Sequence, residues 1–238
     1  MTESLGGYSF KVFRYDPDKG PRHRYDTFEL EVERGMTVLD CLQRIKATLD
    51  GTLTFRRSCR SAICGSCAMN INGKNDLACH LQVAGLTGRR VTVDPLPGYP
   101  VIKDLVVDME EFYRSIEKVM PWLVRTSPFP DRELPQSPEE RDRIDLAVNC
   151  ILCGSCTSSC PSFWFNPDYL APGALLKAFR FVFDSRDEAG AERLALVDGP
   201  RGVWRCRTIF NCEEACPKLL RPNEAIAALK REILKRSV

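Results

Sequence analysis

The sequence is poor in the residues that most enzymes use for acid–base work: 238 positions hold two histidines, His23 and His80. It has no Gly-x-Gly-x-x-Gly following a strand pattern and no obvious flavin-binding segment, so nucleotide-dependent chemistry is expected to lie elsewhere. No apolar stretch approaches the roughly 20 residues that cross a bilayer, so any membrane contact is expected to go through another chain. Met1–Gly20 lacks a charged-then-apolar leader, and the chain is therefore expected in a reducing compartment, where thiols persist and bind metals rather than pair. Charge of one sign is missing too: 34 Lys+Arg stand against 32 Asp+Glu, a balance that implies no nucleic-acid partner.

Cysteine is abundant instead, and eleven of the twelve fall into three runs. Cys59, Cys64 and Cys67, followed by Cys79, have the short spacing of a plant-type [2Fe-2S] site. Cys150, Cys153, Cys156, Cys160 and Pro161 follow the bacterial ferredoxin order, in which three thiolates take one cubane and the fourth reaches across to another. Cys206, Cys212, Cys216 and Pro217 repeat that order, except that Ile209 stands at the second-cysteine position. The spacing assigns Cys150, Cys153, Cys156 and Cys216 to a [4Fe-4S] cluster. It leaves Cys160, Cys206 and Cys212 as three thiolates for a site that then lacks a fourth iron, a [3Fe-4S] cluster.

Structural zinc is the competing reading of Cys-x-x-Cys pairs. Zinc sites use two separated pairs, whereas three cysteines at successive intervals of three, then one at four closed by proline, wrap one loop around a cluster face. Arg56, Arg57 and Arg60 open a second alternative, a zinc-stabilised nucleic-acid module, but no broad basic stripe or stacking platform accompanies them. These arginines then neutralise cluster charge or face an acidic partner. Cys41 lies outside the runs on an apolar helical face and reads as a small buried hydrophobe.

Period-two alternation predicts strands at Tyr8–Tyr15 and Thr27–Val32, joined by the turn chemistry of Asp16–Gly20. Thr37 with Asp40 predicts a helix start, followed by an apolar stripe of Val38, Leu42, Ile45 and Leu49. Strands at Ala68–Ile71 and Arg90–Val93 complete a small mixed sheet. Small residues in the first cysteine run (Ser58, Ser61, Ala62, Gly65, Ser66, Ala68) let backbone N–H groups approach sulfur. Helical spacing is expected over Asp104–Val119, an extended strap over Pro121–Pro138, and helices over Glu139–Val148, Pro172–Asp184, Asp187–Leu196 and Asn223–Lys235.

Taken together, Ser58–Cys67, Leu77-Ala-Cys79, Asp104–Asp108, Cys150–Trp164 and Asn211–Lys218 resemble the iron–sulfur subunit of succinate dehydrogenase over nearly the whole chain. Fumarate reductase subunits share nearly all of these motifs, with Cys-Pro-Ser-Phe-Trp leaning toward the former. The resemblance implies an α+β chain: a β-grasp, plant-ferredoxin-like domain over 1–105 and an all-α, bacterial-ferredoxin-like domain over 106–238. It also implies an FAD-containing dehydrogenase partner, membrane anchor subunits with or without heme, a quinone acceptor, and a peripheral position on the cytoplasmic face of the bacterial inner membrane. Electrons would run from flavin through [2Fe-2S], [4Fe-4S] and [3Fe-4S] to quinone. The ligand deficit at Ile209 fits the last place, because a cluster with fewer thiolates carries less negative charge. The family's quinone pocket maps to Pro161, Ser162, Trp164, Arg207 and Ile209. Trp164 would either offer its indole N–H to a quinone carbonyl or pack against the anchor. Many members carry tryptophan at the position of Phe165 and histidine at that of Arg207. Arg207 is thus open to an anionic headgroup or a heme propionate.

Overall fold

The computed structural model describes residues 3–236, which form two compact units. The first contains the described residues to Met109 together with Ile151–Ser158; the second contains Glu110–Cys150 and the described residues from Ser159 on.

The first unit is built on a sheet of β1 (Ser4–Arg14), β2 (Arg24–Glu33), β3 (Ala68–Ile71), β4 (Lys74–Leu77) and β5 (Arg90–Asp94) in the order β2-β1-β5-β3-β4. β1 runs antiparallel to β2 and parallel to β5, and helix α1 (Val38–Thr48) supplies the crossover. This is the expected β-grasp arrangement. Alternation on β1 sends Tyr8, Phe10 and Val12 inward against Val38, Leu42 and Ile45 of α1. Thr37 and Asp40 close a capping box on that helix as the sequence suggests. Cys41 is fully buried among the apolar side chains, while Leu49, expected on the apolar stripe, is half exposed at the C-cap.

The same alternation turns Arg14 inward, and its guanidinium is held by Asp26 (3.0 Å), Asp104 (3.1 Å), Thr52 (2.7 Å) and Asp50. A buried charge persists only when paired and hydrogen-bonded in this way. Asp104 also accepts the N–H groups of Tyr15 and Thr54, and its φ is +46°. That geometry corrects the helix expected from Asp104. Val106–Val107 is β7, paired with β6 (Val101–Lys103), and helix α2 starts later, at Glu110–Glu117.

After α2 the second unit contains α3 (Pro138–Val148). The short α4 (Ser155–Ser158) lies in the part of the chain that belongs to the first unit. The second unit continues with α5 (Pro161–Phe165), α6 (Ala171–Val182), α7 (Gly190–Val197), α8 (Asn211–Glu214) and α9 (Pro222–Arg236). α6 is central, packed against α2, α3, α7 and α9, and buries Leu175, Leu176, Ala178 and Phe181. The proline-rich stretch before α3 has no regular structure and is tied down by polar bonds: Val124 N–H to Asp187 (2.8 Å), and Ser127 N–H to Glu188 (2.9 Å). Arg193, wholly buried, joins Asp187 to the carbonyls of Met120 (3.1 Å) and Trp122 (2.7 Å). Asp187 is thereby engaged outside the helix that spacing placed there, and α7 begins at Gly190. Among the described residues no helix is long and apolar enough to cross a membrane.

Candidate metal centres

The loop between α1 and β3 carries Cys59, Cys64 and Cys67, and Cys79 follows β4. Arg60 (φ +58°), Ala62 (φ +57°) and Gly65 (φ +73°) adopt left-handed backbone, which turns successive N–H groups toward the interior of the loop. Cys59 Sγ accepts from the N–H groups of Ser61 (3.4 Å), Ile63 (3.3 Å) and Cys64 (3.3 Å); Cys64 Sγ accepts from Cys59 (3.5 Å), and Cys79 Sγ from Ala62 (3.3 Å). Of the small residues in this run, Ser61 and Ala62 bring their N–H groups to sulfur, and the remaining donors are Cys59, Ile63 and Cys64. The N–H groups of Ser61, Ile63 and Cys64 bring the Cys59 thiol down to about 6, a thiolate at neutral pH and so a ready metal ligand. Cys67 and Cys79 are buried, and burial pushes the Cys67 thiol up to about 12, a cost that metal ligation would offset. Arg56 donates to the Val107 carbonyl (2.7 Å), whereas Arg57 and Arg60 are exposed beside this loop.

The second run divides between the units. Cys153 and Cys156 lie on Ile151–Ser158, within the first unit, where Asn75 Nδ2 donates to Ser158 Oγ (3.2 Å) and Ser158 donates to the Pro97 carbonyl (2.7 Å). Cys150 and Cys216 lie in the second unit, both against the cluster of Ala147, Leu176, Leu220 and Ala225. Burial raises the Cys216 thiol, the N–H of Leu220 (3.4 Å) opposes that, and the neighbouring Cys150 thiol reinforces it.

Cys160, Cys206 and Cys212 line one cavity in the second unit, together with Pro161, Ser162, Tyr169, Arg207, Ile209 and Asn223. Each thiol is placed by its backbone. Cys160 precedes α5, whose Pro161 occupies the first turn, and Cys212 sits in α8. Cys206 follows a single 3-10 turn, and its carbonyl accepts from Lys230 Nζ (3.2 Å). Asn211 Nδ2 donates to the Ser159 carbonyl (3.3 Å), stapling the Cys160 and Cys212 loops together. Thr208 (φ +58°) and Phe210 (φ +70°) hold the intervening loop in a left-handed conformation, a strain that persists where surrounding structure enforces it. Burial pushes the Cys212 thiol up to about 12, and the nearby Cys160 and Cys206 thiols add to the effect. Burial raises the Cys160 thiol as well, with Cys206 nearby adding to it, a poor arrangement for free cysteines and a good one for cationic iron. The Tyr169 hydroxyl is buried and has no hydrogen-bond partner of ordinary geometry. Its orphaned donor and the donor set of three thiols both fit a sulfide-bearing cluster.

Among the described residues no three His, Cys, Asp or Glu side chains converge to hold a single metal ion. Cluster thiolates bind separate irons and need no common point. Of the residues mapped to the quinone pocket, Pro161, Ser162, Arg207 and Ile209 share the cavity lining with the three thiols; Trp164 lies outside that lining and is half exposed. Tyr169, Asn223 and Lys230 were not legible as site residues, because no cysteine spacing or motif marks them.

Residues 9–114 match a 2Fe-2S iron–sulfur cluster binding domain, and residues 142–217 match a 4Fe-4S dicluster domain. The chain is 48% identical over 231 residues to the succinate dehydrogenase iron–sulfur subunit of Paracoccus denitrificans, covering 96% of this chain and 89% of that one. The chain belongs to the succinate dehydrogenase iron–sulfur subunit family. Among solved structures it resembles a chain of the Mycobacterium smegmatis Sdh1 complex in the apo form, with a TM-score of 0.87, 25% identity, and coverage of 99% of this chain and 98% of that one. A hypothetical protein from Helicobacter pylori shares the fold at a TM-score of 0.59 and 18% identity, over 97% of this chain and 40% of that one. The α+β class expected for a succinate dehydrogenase iron–sulfur subunit is what the sheet-based and helical units display.

Proposed function

We propose that this chain is the electron-transfer subunit of a succinate dehydrogenase, with a [2Fe-2S] domain over 1–105 and a helical domain over 106–238. Cys59, Cys64, Cys67 and Cys79 would hold [2Fe-2S]; Cys150, Cys153, Cys156 and Cys216 would hold [4Fe-4S]; Cys160, Cys206 and Cys212 would hold [3Fe-4S]. When bound, these clusters supply one-electron carriers between a flavoprotein that oxidises succinate to fumarate and a membrane quinone. The chain's own part is to present thiolates, exclude water and fix the potential of each centre. The five N–H to sulfur bonds of the first loop disperse negative charge there. A flavoprotein and membrane anchor subunits, with or without heme, are the partners this reading calls for, at the cytoplasmic face of a bacterial inner membrane. Pro161, Ser162, Trp164, Arg207 and Ile209 are the residues proposed to meet the quinone. The exposed apolar side chains of Trp164, Phe165, Ile209 and Phe210 support an apolar neighbour at this end of the helical unit.

The observation that carries the reading is the cavity in which three thiols and Ile209 meet with no fourth cysteine. Ile209→Cys would complete the ligand set, and the three-iron electron paramagnetic resonance signal is then expected to give way to a four-iron centre of lower potential. An unchanged three-iron signal would show the ligand assignment to be wrong. The same carrier could serve a fumarate reductase; the Cys160–Trp164 run and the relative from Paracoccus denitrificans favour succinate oxidation.

A further inference from the structure

Tyr169 is 1% exposed, and burying a phenol O–H without a partner is unfavourable. The backbone leaves this side chain little freedom: the Tyr169 N–H bonds the Asn166 carbonyl (3.1 Å), and the next residue's N–H bonds the Arg201 carbonyl (2.9 Å), just before α6 begins. The hydroxyl faces the cavity lined by Cys160, Cys206 and Cys212 and finds no oxygen or nitrogen there that completes a hydrogen bond. A phenol keeps its proton at neutral pH, so the group is a donor. A thiol sulfur is a weak acceptor, whereas a metal-bound thiolate or sulfide is anionic and accepts strongly.

We propose that Tyr169 is a positioning residue whose hydroxyl donates a hydrogen bond to sulfur at the three-cysteine centre and thereby raises its reduction potential. This inference rests on the reading of Cys160, Cys206 and Cys212 as cluster ligands. Reduction adds one negative charge to the centre, so a fixed donor stabilises the reduced form more than the oxidised one. The burial of the donor limits screening of the effect by solvent.

The test is a redox titration of the three-iron signal in the intact complex, comparing wild type, Tyr169→Phe and Tyr169→3-fluorotyrosine. Phenylalanine removes the hydroxyl alone; fluorotyrosine keeps the shape and makes the O–H a stronger donor. Tyr169→Phe is expected to lower the equilibrium constant for reduction about tenfold, which is about 59 mV for one electron, with iron content unchanged. The fluorotyrosine protein is expected to shift the opposite way. Coincident midpoints for wild type and Tyr169→Phe, or a fluorotyrosine shift in the same direction as phenylalanine, would overturn the proposal. If the phenylalanine protein loses its iron, the fluorotyrosine titration decides alone. A wild-type complex with no three-iron signal would instead overturn the underlying ligand reading, and the role of Tyr169 with it.

Discussion

Replacing Gly65 by alanine tests how closely the first cysteine loop is packed. A Cβ there would lie 2.8 Å from Cys153 Cβ, 2.9 Å from Cys153 Cα and 3.0 Å from the Ile151 carbonyl, all within the first unit. Two of these neighbours are backbone atoms, which cannot swing aside as the end of a lysine would. Gly65 also has φ +73°, a conformation that costs an L-residue roughly 1–2 kcal/mol. Overpacking against rigid atoms adds about 1–3 kcal/mol, for a total of roughly 2–5 kcal/mol. Gly73, in the turn between β3 and β4, provides the control: its φ is +83°, but nothing lies within 4 Å of its Cβ position. Gly73→Ala therefore isolates the backbone term. For a chain of this size each kcal/mol moves the melting temperature by about 2–4 °C, so Gly65→Ala is expected to melt roughly 2–12 °C below Gly73→Ala. Thermal scans of the two holoproteins at one scan rate measure the difference, with the visible circular dichroism of the iron–sulfur chromophores as a second signal. Equal melting temperatures would refute the argument that the Cys59–Cys67 loop rests directly on Ile151 and Cys153.

Arg193→Met leaves Asp187 buried without its cation, and a loss of about 3–5 kcal/mol is expected in denaturant unfolding. Glu188 accepts N–H bonds from Ser127 and Thr126, which hold its carboxyl at about 2 against an ordinary 4.5. A depressed carboxylate stabilises the fold above its unfolded pKa and loses that contribution as pH falls from about 4.5 toward 2. Amide exchange at Thr126 and Ser127 is thus expected to lose protection over that window in wild type, while Glu188→Gln shows weaker but pH-independent protection. Trp164→Phe removes an indole N–H from a half-exposed side chain with little effect on folding. Loss of one hydrogen bond to a quinone carbonyl is expected to slow quinone reduction about tenfold; an unchanged rate assigns Trp164 to packing alone.

The parts of this molecule that could be read in advance are those governed by local rules. The β1–β2 hairpin, the Thr37 capping box and the long helices follow from periodicity and end signals lying close together in the chain. The helical spacing of Leu105, Met109, Phe112 and Ile116 is genuine, yet Asp104 is claimed by Arg14, far away in sequence, and the helix starts only at Glu110. β4 leaves little trace in the sequence, since Lys74–Leu77 has only one large apolar residue and exists by pairing with β3. At the candidate centres the cysteines announce themselves by interval. Tyr169, Asn223 and Lys230 reach the Cys206 loop only once the helical unit has folded, and nothing in their immediate neighbourhood marks them.

Ile151–Ser158 folds with the sheet although some forty residues of the other unit precede it in the chain, Glu110–Cys150. The polypeptide therefore leaves the sheet, comes back, and departs a second time. A gene fragment stopping near Met109 would encode a sheet stripped of the segment that Asn75, Tyr99 and Pro97 are shaped to receive. In swaps between relatives, these two stretches of coding sequence have to travel as a matched pair, and the molecule does not come apart into interchangeable cassettes.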